Sequence, residues 1–150
     1  MDARVKTLIE DYLQGLLATL EDEAQLIWAA ERARSAELNL QGSTRFDGSD
    51  QATMRALAYL LEILVKRRLG REVHLYLDAN GYKERRCAEL KLLAGQLAEE
   101  VVRERKRVRL NPMAAYERKA VHEALSGHPE VHTYSEGQGE ARRVIIEPRE

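Results

Sequence analysis

The stretch PMAAYERKAVHEAL, residues 112–125, predicts an amphipathic helix in the second half of the chain. Asn111 can cap this helix, and Pro112 fits its first position because the N–H of that residue would have no helical partner. Gly127 and Pro129 end the helix. The apolar side chains on one side predict a buried stripe, which comprises Ala120, Val121, Ala124 and Leu125.

Two polar residues, Arg118 and His122, lie one turn apart beside this stripe. Four residues of helix correspond to about 400° of rotation, so the two side chains share one side at about 6 Å separation. On a helical wheel they fall at roughly 90° and 130° from the centre of the stripe, which predicts that both reach solvent or a shallow groove. Taken alone, such a spacing is typical of a solvated helix edge in which the Arg pairs with a Glu.

Further basic residues accompany this pair. Lys119 is adjacent to it, and Arg142 and Arg143 follow the glycine-containing turn SEGQGEA. An Arg side chain offers a planar fork of donors for phosphate, and His adds a donor that charges near neutral pH. Glycines let backbone amides approach an anion closely. Arg118, His122, Lys119, Arg142 and Arg143 are therefore candidates for an anion-binding site.

Composition limits the class of protein. The chain has 150 residues, of which 44% are apolar and 33% charged, as in a soluble globular protein of one ordinary or two small domains. No apolar stretch reaches the roughly 18 residues of a membrane span, and the acidic N-terminus lacks a secretory pattern, which predicts a cytoplasmic protein. Cys87, the single cysteine, is expected to pack as a small apolar residue.

Charge differs between the two halves. Residues 1–80 carry 10 basic and 13 acidic side chains, whereas residues 81–150 carry 14 and 12. An acidic partner should therefore prefer the second half. This charge bias is small compared with that of proteins that bind nucleic acid by bulk charge, which are far more basic.

The first half reads as helix, strand, strand, helix, strand. Apolar residues at helical spacing predict the first helix. Two short segments follow at 24–30 and 35–41, of which the second alternates as a half-buried strand does, and they are predicted to form an antiparallel pair. A helix at 51–68 and a strand at 71–79 follow. The helix at 51–68 is apolar on its outer side as well, which indicates contact with another domain or chain; the residues concerned are Tyr59, Leu60 and Ile63.

The second half reads as a long helix at 83–106, a short strand at 107–110, the helix described first, and two final strands. The inner face of the long helix is predicted to comprise Leu90, Leu93, Ala94, Leu97 and Val101. The whole chain is thus predicted to be α+β, with a domain at 1–80 and another at 81–150.

The segment VRLNPMAAYERKAVHEALSGHPEVHTYSEGQGEARRVIIEP, residues 108–148, resembles the R-three-H domain, which is named for an Arg and a His separated by three residues. The segment LDANGYKERRCAELKLLAGQLAEEVV, which follows a small helix-strand domain, is similar to the bacterial Jag family, also called SpoIIIJ-associated or KhpB/EloR proteins. In that family a KH domain precedes the R-three-H domain. The resemblance covers essentially the whole chain and is strong from about residue 73 onward.

The resemblance implies a protein that binds single-stranded RNA or DNA, and we expect an RNA-binding regulator. Arg118 and His122 would touch the sugar-phosphate backbone, and helices would pack on a three-stranded sheet. The residues themselves lead us to expect no enzyme activity, no cofactor and no metal. The family often carries an N-terminal extension connected with the membrane insertase, and nothing in this sequence supports that link.

The first half departs from the KH pattern at one place. KH domains grip four nucleotides with a GxxG loop before a helix. Here Gly48 is followed by Ser49 and Asp50, and Gln51 occupies the position of the second glycine. A carboxylate would repel phosphate, and Gln cannot approach as closely as Gly. Residues 1–80 are therefore expected to be KH-like in fold but impaired in RNA binding, with protein contact as their remaining role, in a homodimer or with a KH-domain partner.

Other interpretations stay open. The chain could be a protein-protein adaptor with little residual RNA binding. Trp28 and Phe46 could stack on bases, although core or loop packing is the commoner role of such residues. Three further sites have weaker support. The first is a metal site of His122, His128 and His132. The second is an acid/base set of Glu117, Arg118 and His122, and the third is a zinc site built on cysteine. Pro129 argues against the metal site, because it separates His128 from His132. The absence of an activated nucleophile argues against the acid/base set, and the single cysteine argues against the zinc site.

Overall fold

The computed structural model describes all residues, 1–150, and confirms the α+β class. The elements in chain order are α1 (Ala3–Thr19), β1 (Gln25–Glu31), β2 (Ser35–Gln41), α2 (Gln51–Leu69), β3 (His74–Ala79), α3 (Tyr82–Glu104), β4 (Val108–Arg109), α4 (Ala115–Leu125), β5 (Val131–Glu136) and β6 (Arg143–Pro148). A short 3-10 turn occupies Gly139–Ala141. The chain divides into two compact units, Met1–Lys83 and Glu84–Glu150, called here the first and second units. No helix combines the length and the apolar character needed to cross a membrane.

The first unit packs α1 and α2 on one face of a three-stranded sheet in the order β1-β2-β3. Strands β1 and β2 are antiparallel, and β2 and β3 are parallel. The register pairs Leu38 with Leu77 and Leu40 with Ala79, so alternate residues of both strands face the same core. The opposite face carries polar residues together with Ile27 and Tyr76, which are both exposed.

The helices of the first unit begin and end at sequence signals. The carboxylate of Asp2 accepts the N–H of Arg4 at the start of α1, and that of Asp50 accepts the N–H of Thr53 at the start of α2. Gly70 adopts the left-handed conformation that ends α2. The buried stripe of α1 comprises Val5, Ile9, Leu13 and Leu17.

The second unit packs α3 and α4 on one face of an antiparallel sheet in the order β4-β6-β5. Alanines at 94 and 98 lie fully buried on α3, where small side chains let a helix approach its neighbours closely. The sheet contributes Val131, Val144 and Ile146 to this core. Strand β5 is an edge strand, and its helix-facing side borders α4.

The structure corrects three details predicted from the sequence. Helix α4 begins at Ala115 rather than at Pro112, and Asn111 is not its cap. Leu93 is 41% exposed, because the inner face of α3 follows Leu90 and Ala94 and leaves it to the side. Ala124 is exposed as well.

Candidate nucleic-acid interface

Glu117 fixes the start of α4. One carboxylate oxygen accepts the N–H of Ala114 at 2.8 Å, which supplies a cap where the residue before the helix has no polar side chain. The other oxygen accepts from Nε of Arg86 on α3 at 2.9 Å. Glu117 lies about 140° round the helix from His122, so the two do not form the acid/base set considered from the sequence.

His122 reaches from α4 to the edge strand β5. Its Nδ1 lies 2.7 Å from Oγ1 of Thr133, and its Nε2 lies 2.9 Å from Oγ of Ser135. Residues two apart in a strand share one face, so both hydroxyls point toward the helix. The imidazole is therefore held at both ring nitrogens by side chains of one strand.

Backbone contacts bring Arg118 and Arg142 to the same region. Arg118 donates from Nη1 to the carbonyl of Met113 at 2.7 Å, and the N–H of Met113 donates to the carbonyl of Arg142 at 3.2 Å. The side chain of Arg142 donates to the carbonyl of Gly137 at 2.8 Å. Gly137 has a φ of +88°, and a Cβ there would lie 2.9 Å from the carbonyl oxygen of Ala141, so this tight turn requires glycine.

Burial lowers the pKa of His122 below its usual range, and the positive charges of Arg118 and Arg142 lower it further. A His with a lowered pKa is mostly neutral at pH 7. The sequence predicted a group that charges near neutral pH, and the structure moves that titration to more acidic conditions.

The candidate site residues separate into three groups. Arg118 lies one turn from His122 on α4, and Arg142 lines the same pocket as His122. Lys119 projects into solvent and pairs with Glu123 at 3.6 Å. Arg143 stands opposite Glu136 in the ladder, on the face of the sheet that points away from α4.

A shallow surface pocket adjoins His122 at the edge of β5. Besides His122, it is lined by Thr133, Ser135, Arg142 and Arg149, among others. Arg149 is held there by a hydrogen bond from its Nε to the carbonyl of Val131 at 2.8 Å. Sequence reasoning missed Thr133, Ser135 and Arg149. The period-two placement of the two hydroxyl residues in VHTYSEG was the available signal for the first two.

The remaining histidines of the second unit have other partners. The Nδ1 of His128 accepts the N–H of Glu130 at 3.2 Å. His132 pairs with Glu147 at 2.9 Å and stacks on Tyr134, on the face of the sheet away from His122.

In the first unit, both aromatic candidates for base stacking pack against the core. Trp28 donates from Nε1 to Glu10 at 2.8 Å, and the ammonium of Lys6 lies 4.8 Å from the centre of its ring. Phe46 packs against the same core.

The loop before α2 is occupied by contacts within the first unit. Asp50 caps α2 and also accepts a hydrogen bond from the hydroxyl of Thr53 at 2.6 Å. Gln51 donates to the carbonyl of Gly48. Gly48 itself is buried, and a Cβ there would overlap that of Tyr82 and lie 2.7 Å from the carbonyl oxygen of Ala79. Close packing therefore accounts for this glycine.

The chain matches the R-three-H domain family over residues 88–148. It is also similar to proteins named RNA-binding protein KhpB from three bacteria. The protein of Lactiplantibacillus plantarum is 37% identical over 66% of this chain and 31% of the relative. The protein of Bacillus subtilis is 36% identical over 90% of this chain and 66% of the relative. The protein of Clostridium symbiosum is 34% identical over 77% of this chain and 53% of the relative.

The chain thus spans between 31% and 66% of the length of these three relatives. The R-three-H match includes α4 with the Arg118 and His122 pair, and the similarity to the Bacillus subtilis protein extends over both units. The chain belongs to the KhpB (Jag/EloR) family, and residues 88–148 are its R-three-H domain.

Proposed function

We propose that this protein binds single-stranded RNA through its second unit, with the strand lying along α4 and the edge of β5. The observation that carries this proposal is that Arg118 lies one turn from His122 on α4, while Arg142 lines the same open polar pocket as His122. Two guanidinium groups held by carbonyl contacts are pre-oriented for phosphate. The names of the relatives and the R-three-H match support a binding role rather than catalysis.

The proposed contribution of each basic residue to RNA binding depends on its position. Arg118 and Arg142 bind backbone phosphates, and Arg149 extends the basic rim of the pocket. Lys119 adds a mobile charge at the outer edge of α4. Arg143, on the other face of the sheet, contributes less unless the strand wraps round β5.

Salt dependence tests this proposal. Two to four phosphate contacts with a single strand give a log-log salt slope of about −1.4 to −2.8. Replacing Arg118 and Arg142 together by Gln keeps side-chain donors for the carbonyls of Met113 and Gly137 but removes both charges. We expect weaker binding and a slope flattened by about 1.4.

Arg143→Gln is the matched control, since it removes the same charge from the other face. A smaller effect from this control than from the double variant supports the proposal. Unchanged affinity and slope in a folded Arg118→Gln, Arg142→Gln protein contradicts it.

We propose further that the first unit is a KH-like domain impaired in RNA binding. Its element order is the one expected for such a domain, and Asp50 places a carboxylate at the start of α2. Its remaining role is then protein contact, as a homodimer or with another KH-domain protein. The exposed Tyr59 and Leu60 on α2, at 63% and 56% exposure, favour this role.

The adaptor alternative assigns the same protein contact to the first unit and little RNA binding to the second. Absorbance at 260 nm of the purified protein, before and after ribonuclease treatment, separates the two functions. A clean protein that retains a protein partner would favour the adaptor.

A further inference from the structure

The pocket beside His122 contains two hydroxyl groups that the proposed phosphate contacts do not use. Thr133 and Ser135 present their oxygens to the imidazole from strand β5, at 2.7 Å and 2.9 Å. Both residues line the pocket, and both are only partly buried. A nucleic-acid strand bound between Arg142 and Arg149 would pass directly over these two hydroxyls.

The protonation state of the imidazole determines which further hydrogen bonds the two hydroxyls can make. One ring nitrogen carries a proton and the other accepts one. The hydroxyl that accepts from the ring keeps its own proton for an acceptor in the pocket. The hydroxyl that donates to the ring keeps lone pairs for a donor. The pair therefore presents one donor and one acceptor side by side.

A ribose 2′-hydroxyl is complementary to this arrangement, because it donates and accepts at a single atom, whereas deoxyribose does neither at that position. Arg142 and Arg149 flank the pocket and would hold phosphates beside it. We propose that Thr133 and Ser135, oriented by His122, bind the 2′-hydroxyl of the strand and give this pocket a preference for RNA over DNA. The inference rests on the proposed function and names its substrate class.

His122 is a positioning residue in this arrangement. The groups that face it are Arg118 from α4, Arg142 from the turn before β6, and the two hydroxyls from β5. Both charged neighbours are cationic, which favours the neutral imidazole that the arrangement needs. When His122 is protonated, both ring nitrogens donate and both hydroxyls turn their protons outward. The pocket then presents two donors and fewer free lone pairs, so it suits phosphate oxygens better than a 2′-hydroxyl.

The test compares a short labelled strand of uridines with the same strand of 2′-deoxyuridines, which differ only in the 2′-hydroxyl. Fluorescence anisotropy with the full chain at about pH 8 should show binding about threefold to tenfold tighter for the ribose strand, the value of one added hydrogen bond. At about pH 5 this ratio should shrink while affinity for both strands rises.

Thr133→Val combined with Ser135→Ala should bring the ratio to about one, because the ribose strand loses a contact that the deoxy strand never makes. Ser126→Ala is the matched control, because Ser126 lines the same pocket but its hydroxyl donates to the carbonyl of Glu123. Thr133→Ser keeps the hydroxyl and should keep the ratio.

Equal binding of the two strands by the unmodified protein would overturn the inference. A ratio that persists in the double variant, or that does not change with pH, would overturn it as well. In each of these outcomes the proposed function still stands if Arg118→Gln with Arg142→Gln weakens binding. Failure of the unmodified protein to bind either strand overturns both.

Discussion

Arg86 of α3 and Glu117 of α4 form a hydrogen-bonded ion pair at 2.9 Å, and the side chain of Glu117 is only 13% exposed. Because Glu117 also accepts the N–H of Ala114, one carboxylate both starts α4 and joins it to the neighbouring helix. The position of Arg118 and His122 relative to the sheet therefore depends on a residue that faces away from the candidate site.

We expect Glu117→Ala to destabilise the second unit by about 1–3 kcal/mol, since it removes the acceptor of one backbone donor and of a charged partner. Native-state amide exchange at Val121 and Val144, both fully buried, measures the loss. Glu123→Ala is the control, because its pair with Lys119 is exposed and should be worth less than about 1 kcal/mol. Equal exchange in the two variants would contradict this account of Glu117.

The pH dependence of stability follows from His122. Its pKa in the folded protein lies below the ordinary value of about 6.5, so the unfolded chain binds more protons between the two values. Stability of the second unit should therefore fall as pH drops below about 6.5, and His122 should have no such effect at higher pH.

His122→Gln should flatten this acid dependence, and amide exchange between about pH 5 and pH 8 measures it. His74→Gln, which changes an exposed His of the first unit, is the control and should keep the slope. An NMR titration that places the His122 pKa above its ordinary value would contradict the prediction.

Gly48 and Gly15 provide a matched pair of glycines in the first unit. A Cβ at Gly48 would overlap that of Tyr82, whereas one at Gly15 would have no atom within 4 Å beyond its chain neighbours and its own helix backbone. We expect Gly48→Ala to destabilise the unit, by about 1–3 kcal/mol as for other overpacked sites. Gly15→Ala should stabilise it by about 0.5–1 kcal/mol, because Gly15 lies inside α1. Fluorescence of Trp28 during urea unfolding measures both, and a neutral Gly48→Ala would show that this loop is free to move.

Tyr59 and Leu60 test the protein-contact role of the first unit. Replacing both by Lys puts charge on exposed positions outside the buried stripe of α2, so folding should be unaffected. We expect any self-association seen by sedimentation velocity to weaken by at least about tenfold, since charged residues are depleted from interface cores. Arg55→Lys, on an exposed position of the same helix, is the control. Self-association that survives the double variant would place the contact elsewhere.

Some elements could be predicted from the sequence because their signals are local. Helices α1, α2 and α3 follow apolar repeats, α1 and α2 also begin at Asp caps, and strands β2 and β3 follow alternation, as in Leu38 and Leu40. The start of α4 could not be predicted in this way. Asn111 and Pro112 form a plausible helix start, but the carboxylate of Glu117 binds the N–H of Ala114 instead and places the first turn three residues later.

The candidate site likewise has one part that the sequence predicted and another that only the tertiary structure determined. The sequence by itself determined that Arg118 and His122 share one edge of a helix, because 3.6 residues per turn leave no other arrangement. Only the tertiary structure decided which basic residues join them. Strand β6 is apolar at Val144, Ile145 and Ile146 in succession, so its pattern does not say which face meets α4. The pairing of β5 with β6 and the packing of α4 settle that question, and they leave Arg142 beside His122 and Arg143 on the far face. The same packing sets Thr133 and Ser135 against the imidazole, a contact between distant elements that no periodicity within either one contains.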